Sequence, residues 1–250
     1  MLMMACNPKA ILALAAALAV AALAQTPDAY RAPREKMVRE TIARPADGRD
    51  PVRDHRVLEA MRTVPRHEFV PADQRAQAYA DHPLAIGHGQ TISQPYIVAK
   101  MTELLAPKPE HRILEVGAGS GYQAAVLSPL VKEVYTIEII QPLGEAARER
   151  LARLGYKNVE VRLGDGYYGW PDKGPFDAIV VTAWASHVPP PLVQQLKPGG
   201  RMVIPVGTFF YNQNLVVVHK GSKGPTDLRI ESVMPVVFVP LTGAAQDSMK

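Results

Sequence analysis

Residues 113–127 read ILEVGAGSGYQAAVL, and the parsing of this stretch decides the fold. Ile113 to Val116 make a short apolar run that suits a strand buried on both faces, and the residues after Tyr122 suit a helix. Between them stand Gly117, Gly119 and Gly121. Glycine lets such a turn tighten and lets a ligand approach backbone amides at a helix N-terminus. A dinucleotide loop follows G-x-G-x-x-G, which would place its last glycine at 122. That position is Tyr122, and the spacing is G-x-G-x-G instead.

Strands and helices alternate downstream of the loop. EVYTIE (133–138) leads to the helical LGEAARERLARLG (143–155), then VEVRLGD (159–165), FDAIVVTA (176–183), PPLVQQLKPGG (190–200) and RMVIPVG (201–207). Two late apolar runs, NLVVVHK (214–220) and VMPVVFVPL (233–241), have no helix between them. This order predicts an α/β fold with a doubly wound, mostly parallel, Rossmann-like sheet, antiparallel C-terminal strands and a helical N-terminal cap. In the cap, Asp50-Pro51 is read as a helix opening, with Val57, Leu58, Met61 and Val64 on one face. YIVAKMTELLA (96–106) carries a second apolar stripe.

The N-terminus differs in kind. Lys9 precedes AILALAAALAVAALA (10–24), which ends in an A-x-A step before Gln25. That is the order of a secretory signal peptide, too short for a comfortable membrane span. The expected organisation is a signal at 1–24, a polar surface arm at 25–50 with a short helical segment at 34–43, and one domain from 51 to 250. Signal use implies a periplasmic or secreted protein; a start at Met37 would imply a cytoplasmic one. Cleavage removes Lys9 and the single Cys, taking the formal charge from +4 to +3. So small a charge with scattered basic residues argues against nucleic acid and against stable membrane association. The seven histidines show no metal-ligand spacing, so no metal is expected. There is no G-x-S-x-G elbow and no phosphate loop. A monomer is expected.

The G-x-G-x-G loop resembles the first motif of the class I S-adenosylmethionine (SAM)-dependent methyltransferases. Glu138 ends the second strand and can accept two hydrogen bonds from a ribose diol. Asp165, in LGDG, can accept from an adenine amine, with Gly166 beside it. Taken singly, Glu138 reads as a solvated strand-end acid and Asp165-Gly166 as a common turn. Glu115, inside the first strand, is placed to bond loop amides or a cofactor ammonium group. All three acids fall at the carboxyl edge of the strands, where open α/β sheets bind ligands.

Ahead of the loop, GHGQTISQPY (87–96) is unusually rich in hydroxyl and amide groups. With PRHEFVP (65–71), LAIGHGQTISQP (84–95), GDGYYGWPDKGPFDAIVVTA (164–183), LKPGGRMVIPVG (196–207) and VFVPLT (237–242), it closely resembles the protein-L-isoaspartate O-methyltransferases. The resemblance covers roughly Arg53 to Thr242. It implies methyl transfer from SAM to the free carboxylate of isoaspartyl, and D-aspartyl, residues in damaged proteins. It puts the active-site serine at Ser93 and Thr91, Ile92, Ser93 and Thr242 near the cofactor. Spacing alone reads Ser93 as the N-cap of the helix that starts near Pro95. Gly87 and Gly89 are read as hinges of a lid, and residues 183–187 as a wall of the peptide pocket. Another acceptor for the methyl group, or a non-catalytic binding protein of the same fold, are the competing readings.

Overall fold

The computed structural model describes residues 28–208, 213–224 and 226–244. The signal-like stretch 1–24 lies outside them. The chain forms two compact units, residues 1–32 and 33–250. Of the first, residues 28–32 are described, a turn running into helix α1 (Arg31–Lys36). The second unit carries everything that follows.

A π-helical segment, Met37–Ile42, comes directly after α1. It does not belong to a surface arm: Met37, Val38 and Ile42 are all buried in the main hydrophobic core. The polar residues around them hid a three-residue apolar stripe, and the ordered cap begins well before residue 51. Helix α2 (His55–Thr63) also starts later than Asp50-Pro51 suggests. Asp54 caps it by accepting from the Arg56 N–H at 2.9 Å, the usual task of an aspartate before a first turn. In the RHEF turn that follows, Arg66 is fully buried. Its Nε donates to the Ala78 carbonyl at 2.8 Å, and its guanidinium lies 4.8 Å from the centre of the Tyr122 ring. That stacking ties the cap to the helix after the glycine loop.

GHGQTI folds as a hairpin and not as an open loop. Strands β1 (Leu84–Gly87) and β2 (Gln90–Ile92) pair antiparallel. His88 and Gly89 take φ of +53° and +70°, the pair of positive values that a tight hairpin turn requires. Helix α3 (Pro95–Leu104) follows.

The central sheet has seven strands: β3 (Arg112–Val116), β4 (Glu133–Glu138), β5 (Val159–Leu163), β6 (Phe176–Val181), β7 (Leu196–Val206), β8 (Gln213–Lys220) and β9 (Leu228–Val236). Their order is β5-β4-β3-β6-β7-β8-β9. The first five are parallel, while β8 and β9 add on antiparallel. The fold class read from the sequence therefore holds. Side chains alternate between two cores. Ile113, Val134, Ala178 and Val203 face the layer of α2, α3 and α4 (Tyr122–Leu127). Leu114, Ile137, Ile179 and Met202 face the layer holding α6 (Pro190–Gln194) and Trp170. Helix α5 (Gln141–Arg153) connects β4 to β5. The last strand is shifted from the expected one. It begins at Leu228, and its residues 229–232 are exposed, so no apolar run marks it; the apolar 237–241 lies beyond its end. Pro235 is tolerated because β9 is an edge strand.

Burial of the 37–42 segment carries a testable consequence. Ile42→Ala is expected to lower unfolding free energy by about 2–5 kcal/mol, the usual range for a buried isoleucine. Urea unfolding of the variant checks this, and an unchanged midpoint would mean that the segment does not pack on the core.

Candidate active site

The strand order reverses between β3, which continues to β4, and β6, which continues to β7. Ligands of open α/β sheets bind in the crevice that such a reversal leaves at the carboxyl ends of the strands. The glycine loop leaves β3 at this point. Gly117 and Ala118 both donate their N–H to the Ile137 carbonyl, at 2.9 and 3.0 Å. Gly119 N–H donates to Glu138 Oε2 at 2.8 Å, and Ile140 N–H to Glu138 Oε1 at 2.9 Å. Across the crevice, the Thr182 hydroxyl donates to the Val116 and Gly117 carbonyls at 3.0 and 2.6 Å. A Cβ on Gly117 would stand 2.5 Å from that hydroxyl oxygen, and its φ is +97°, so both space and backbone demand glycine.

A cleft opens above these contacts. Of the residues expected at the cofactor, Thr91, Gly117, Gly119, Glu138, Gly166 and Thr242 line it. Thr182 and the 239–241 segment line it too, neither of them among the expected cofactor contacts. Thr182 carried a usable signal, standing at the carboxyl end of a predicted strand. The enclosed part is small, about 60 Å³. A nucleoside would therefore lie partly against its open side. Among the described residues no Lys or Arg lines the cleft, whereas the nearly buried Glu138 does. Such a donor set is unsuited to a pyrophosphate. It fits SAM, with the acid available to a ribose diol, the flank of Ile137, Ile139 and Ile140 to a base, and no cation to repel a sulfonium.

The other expected residues stand elsewhere. Gly121 is in the left-handed region with φ +86°, where a Cβ would press on Leu151 and Ala147 of α5; it serves packing. Asp165 accepts from Tyr167 N–H at 2.9 Å and Ala244 N–H at 2.8 Å, so its oxygens brace the two segments that carry Gly166 and Thr242. Ile92 is a core residue. Of the wall expected at 183–187, Ala183 lines the cleft and Trp184 is buried, while His187 contacts Tyr167.

Glu115 does not bond the loop amides; Glu138 does that. The Glu115 side chain is fully buried, and neither oxygen has a hydrogen-bond partner. Thr136, its register partner on β4, favours the charged form but is outweighed by burial, and no hydrogen bond of normal geometry joins them. Burial pushes the Glu115 carboxyl up to about 8, helped by the nearby Glu138 charge.

Ser93 faces a second, larger cavity of about 740 Å³, lined also by Arg49, Gln94, Tyr96, Gln213 and residues 234–239. Thr91, Thr182 and Val239 line both spaces, so the cleft and the cavity meet there. The Ser93 hydroxyl makes no hydrogen bond among the described residues, and the N-cap of α3 is Gln94. The capping role that spacing suggested for Ser93 is not the one it plays. Arg49, Gln213 and the 234–239 segment were invisible as site residues because each lies far away in sequence.

Two outcomes follow from this geometry. Glu115 holds its proton in the folded chain up to about pH 8, whereas an unfolded chain releases it near 4.5. The folded state thus binds more protons in that window, and stability falls as pH rises through it. Glu115→Gln is expected to gain stability over the parent progressively between pH 5 and 8, then level off, in chemical unfolding across pH; parallel curves would contradict the neutral carboxyl. Glu138→Ala frees the Gly119 and Ile140 amides, and is expected to raise the S-adenosylhomocysteine dissociation constant at least about tenfold by calorimetry.

Comparison with known proteins agrees with this geometry. The family model described as protein-L-isoaspartate(D-aspartate) O-methyltransferase matches residues 39–246. A Polaromonas sp. protein named protein-L-isoaspartate O-methyltransferase 2 is 61% identical over 207 residues, 83% of this chain and 96% of that one. A Nitrosospira multiformis protein named protein-L-isoaspartate O-methyltransferase 1 is 59% identical, covering 86% of this chain and 89% of that one. A solved protein-L-isoaspartate O-methyltransferase superposes with a TM-score of 0.71 at 31% identity, over 78% of this chain and 63% of that chain. A Plasmodium falciparum protein assigned to the same activity, solved with S-adenosyl-L-homocysteine, gives a TM-score of 0.64 at 28% identity, over 76% of this chain and 91% of that one. The chain belongs to the protein-L-isoaspartate(D-aspartate) O-methyltransferase family, a family of class I SAM-dependent enzymes.

Proposed function

We propose that this chain methylates the free carboxylate of L-isoaspartyl residues in damaged proteins, with Ser93 as the residue that aims the acceptor. The observation that carries the reading is the meeting of the cleft and the larger cavity at Thr91, Thr182 and Val239, with the unpartnered Ser93 hydroxyl on the cavity side. When bound, SAM supplies an electrophilic methyl group. The protein's own part is placement. A carboxylate acceptor is already ionised at neutral pH, its pKa lying near ~4, so no general base has to remove a proton. Ser93 can donate to one carboxylate oxygen, fixing its direction without the charge neutralisation that a lysine or arginine clamp would bring. Arg49, the cation in the cavity, is already paired with Asp47 and Asp81. Glu138 holds the loop amides and retains lone pairs for a diol. The cavity is broad enough for residues on either side of the acceptor, and its apolar 234–239 wall suits an extended peptide.

Paired peptides differing only in an isoaspartyl or aspartyl linkage test the acceptor. Methyl transfer is expected to the isoaspartyl peptide alone, and equal labelling of both would reject the repair reading. Ser93→Ala is expected to lower kcat about 10²-fold, as for loss of one positioned donor, with S-adenosylhomocysteine affinity unchanged in calorimetry. A weaker cofactor with unchanged kcat would assign Ser93 to the cofactor instead.

The three-part order of residues 1–24 also supports export, with cleavage after Ala24. Cell fractionation with intact mass measurement checks this: a periplasmic chain starting at Gln25 is the expected result, and a full-length cytoplasmic chain the contrary one.

A further inference from the structure

The start of α3 presents an unusual division of labour. The first turn of any helix leaves N–H groups without intrahelical partners, and a serine just before it ordinarily satisfies one of them. Here the Tyr96 N–H donates instead to Asp81 Oδ1, at 3.1 Å, across 15 residues of sequence. The Gln94 side chain, at the N-cap position, does not cap either; its Nε2 donates to Asp81 Oδ2 at 2.7 Å. The same oxygen accepts from Arg49 Nη2 at 2.8 Å. The Arg49 guanidinium lies 4.1 Å from the centre of the Tyr96 ring, and the Tyr96 hydroxyl donates to the Asp50 carbonyl at 2.8 Å. One carboxylate thus collects the helix N–H, the N-cap amide and an arginine that is itself stacked on the first turn.

We propose that Asp81 is a positioning residue for methyl transfer, capping α3 in place of Ser93 so that the Ser93 hydroxyl stays free for the acceptor carboxylate. The inference rests on the Ser93 role given above. Its physical core is competition. A serine hydroxyl beside an unsatisfied helix N–H turns to bond it, because a local side chain to backbone bond costs little. Once Asp81 occupies that N–H, no such pull remains, and the hydroxyl is left facing the cavity. Arg49 and Gln94 both hold Oδ2, which leaves Oδ1 turned toward the helix N–H. Small displacements of a positioned donor cost rate steeply, so loss of the cap is felt in turnover.

A double-mutant cycle with the full-length protein tests this, reading kcat and KM for an isoaspartyl peptide and S-adenosylhomocysteine affinity by calorimetry. Ser93→Ala is expected to lower kcat. Asp81→Ala is expected to lower kcat at least about tenfold with cofactor affinity unchanged. The double variant is expected to be no slower than Ser93→Ala alone, since Asp81 acts through that hydroxyl. Asp81→Asn, which keeps an oxygen for the Tyr96 N–H but sets an NH2 group against the Arg49 and Gln94 donors, is expected to recover part of the turnover lost in Asp81→Ala. Losses that multiply in the double variant, or an Asp81→Ala enzyme as fast as the parent while Ser93→Ala is slow, would overturn the Asp81 inference alone. A Ser93→Ala enzyme with parental kcat would overturn the Ser93 role and this inference with it. Amide hydrogen exchange gives a second check that needs no change at Asp81. Protection of the Tyr96 amide is expected to be the same in Ser93→Ala as in the parent, and faster exchange would show that the serine is the cap.

Discussion

The clasp between Glu138 and the glycine loop is the contact on which the rest of the site depends. A carboxylate at the end of β4 accepts from the amides of Gly119 and Ile140, while the Ile137 carbonyl takes those of Gly117 and Ala118. Four backbone donors that would otherwise point in several directions are gathered against one strand end. Thr182 closes the other side by donating to the Val116 and Gly117 carbonyls. The crevice between β3 and β6 is therefore built from backbone, with its shape set by glycine conformations and by one acid. Its chemistry follows: one negative group, no lysine or arginine among the described lining residues, and an apolar flank. A nucleoside carrying a sulfonium suits such a crevice better than a pyrophosphate does.

Buried polarity sets the remaining electrostatics. Glu115 sits one strand inward from Glu138, without any hydrogen-bond partner, and burial keeps it protonated at neutral pH. Glu115 does not line the cleft, and Glu138 is the only acid that does among the described residues. Two acids that look alike in sequence thus divide into a cleft-lining carboxyl that organises amides and an interior group that carries a proton. The cost of keeping Glu115 neutral in the core rises with pH, which couples the stability of the sheet to the same edge that holds the cleft.

The parallel sheet and its glycine turn were legible in the sequence because their signals are local. Apolar runs such as 113–116 and 176–181 mark strands, and the G-x-G-x-G spacing marks the turn between them. Glu138, Gly117, Gly119 and Gly166 could be placed because strand ends share one edge of an open sheet. What escaped was set by distant partners. Asp81 caps a helix 15 residues away, Arg49 stacks on Tyr96, and Gln213 lines the same cavity from β8. No spacing rule reaches such pairs. The segment 37–42 was read as exposed because its three apolar residues are diluted by charge, and β9 was displaced because an edge strand exposed along much of its length carries no alternation. Glu115 is placed at the ligand edge by position, yet its side chain turns into the core; Asp165, like Glu138, accepts two backbone N–H groups, from Tyr167 and from Ala244 near the chain's C-terminal end.

Placement of a carboxylate at the junction of cleft and cavity is the central claim, and a crystal structure with S-adenosylhomocysteine and an isoaspartyl peptide bound together tests it most directly. The expected result places the cofactor sulfur at the junction of Thr91, Thr182 and Val239, with the isoaspartyl carboxylate accepting from the Ser93 hydroxyl and the peptide running along residues 234–239. A peptide carboxylate bound away from Ser93, or a sulfur separated from the cavity by intact protein, would contradict the account.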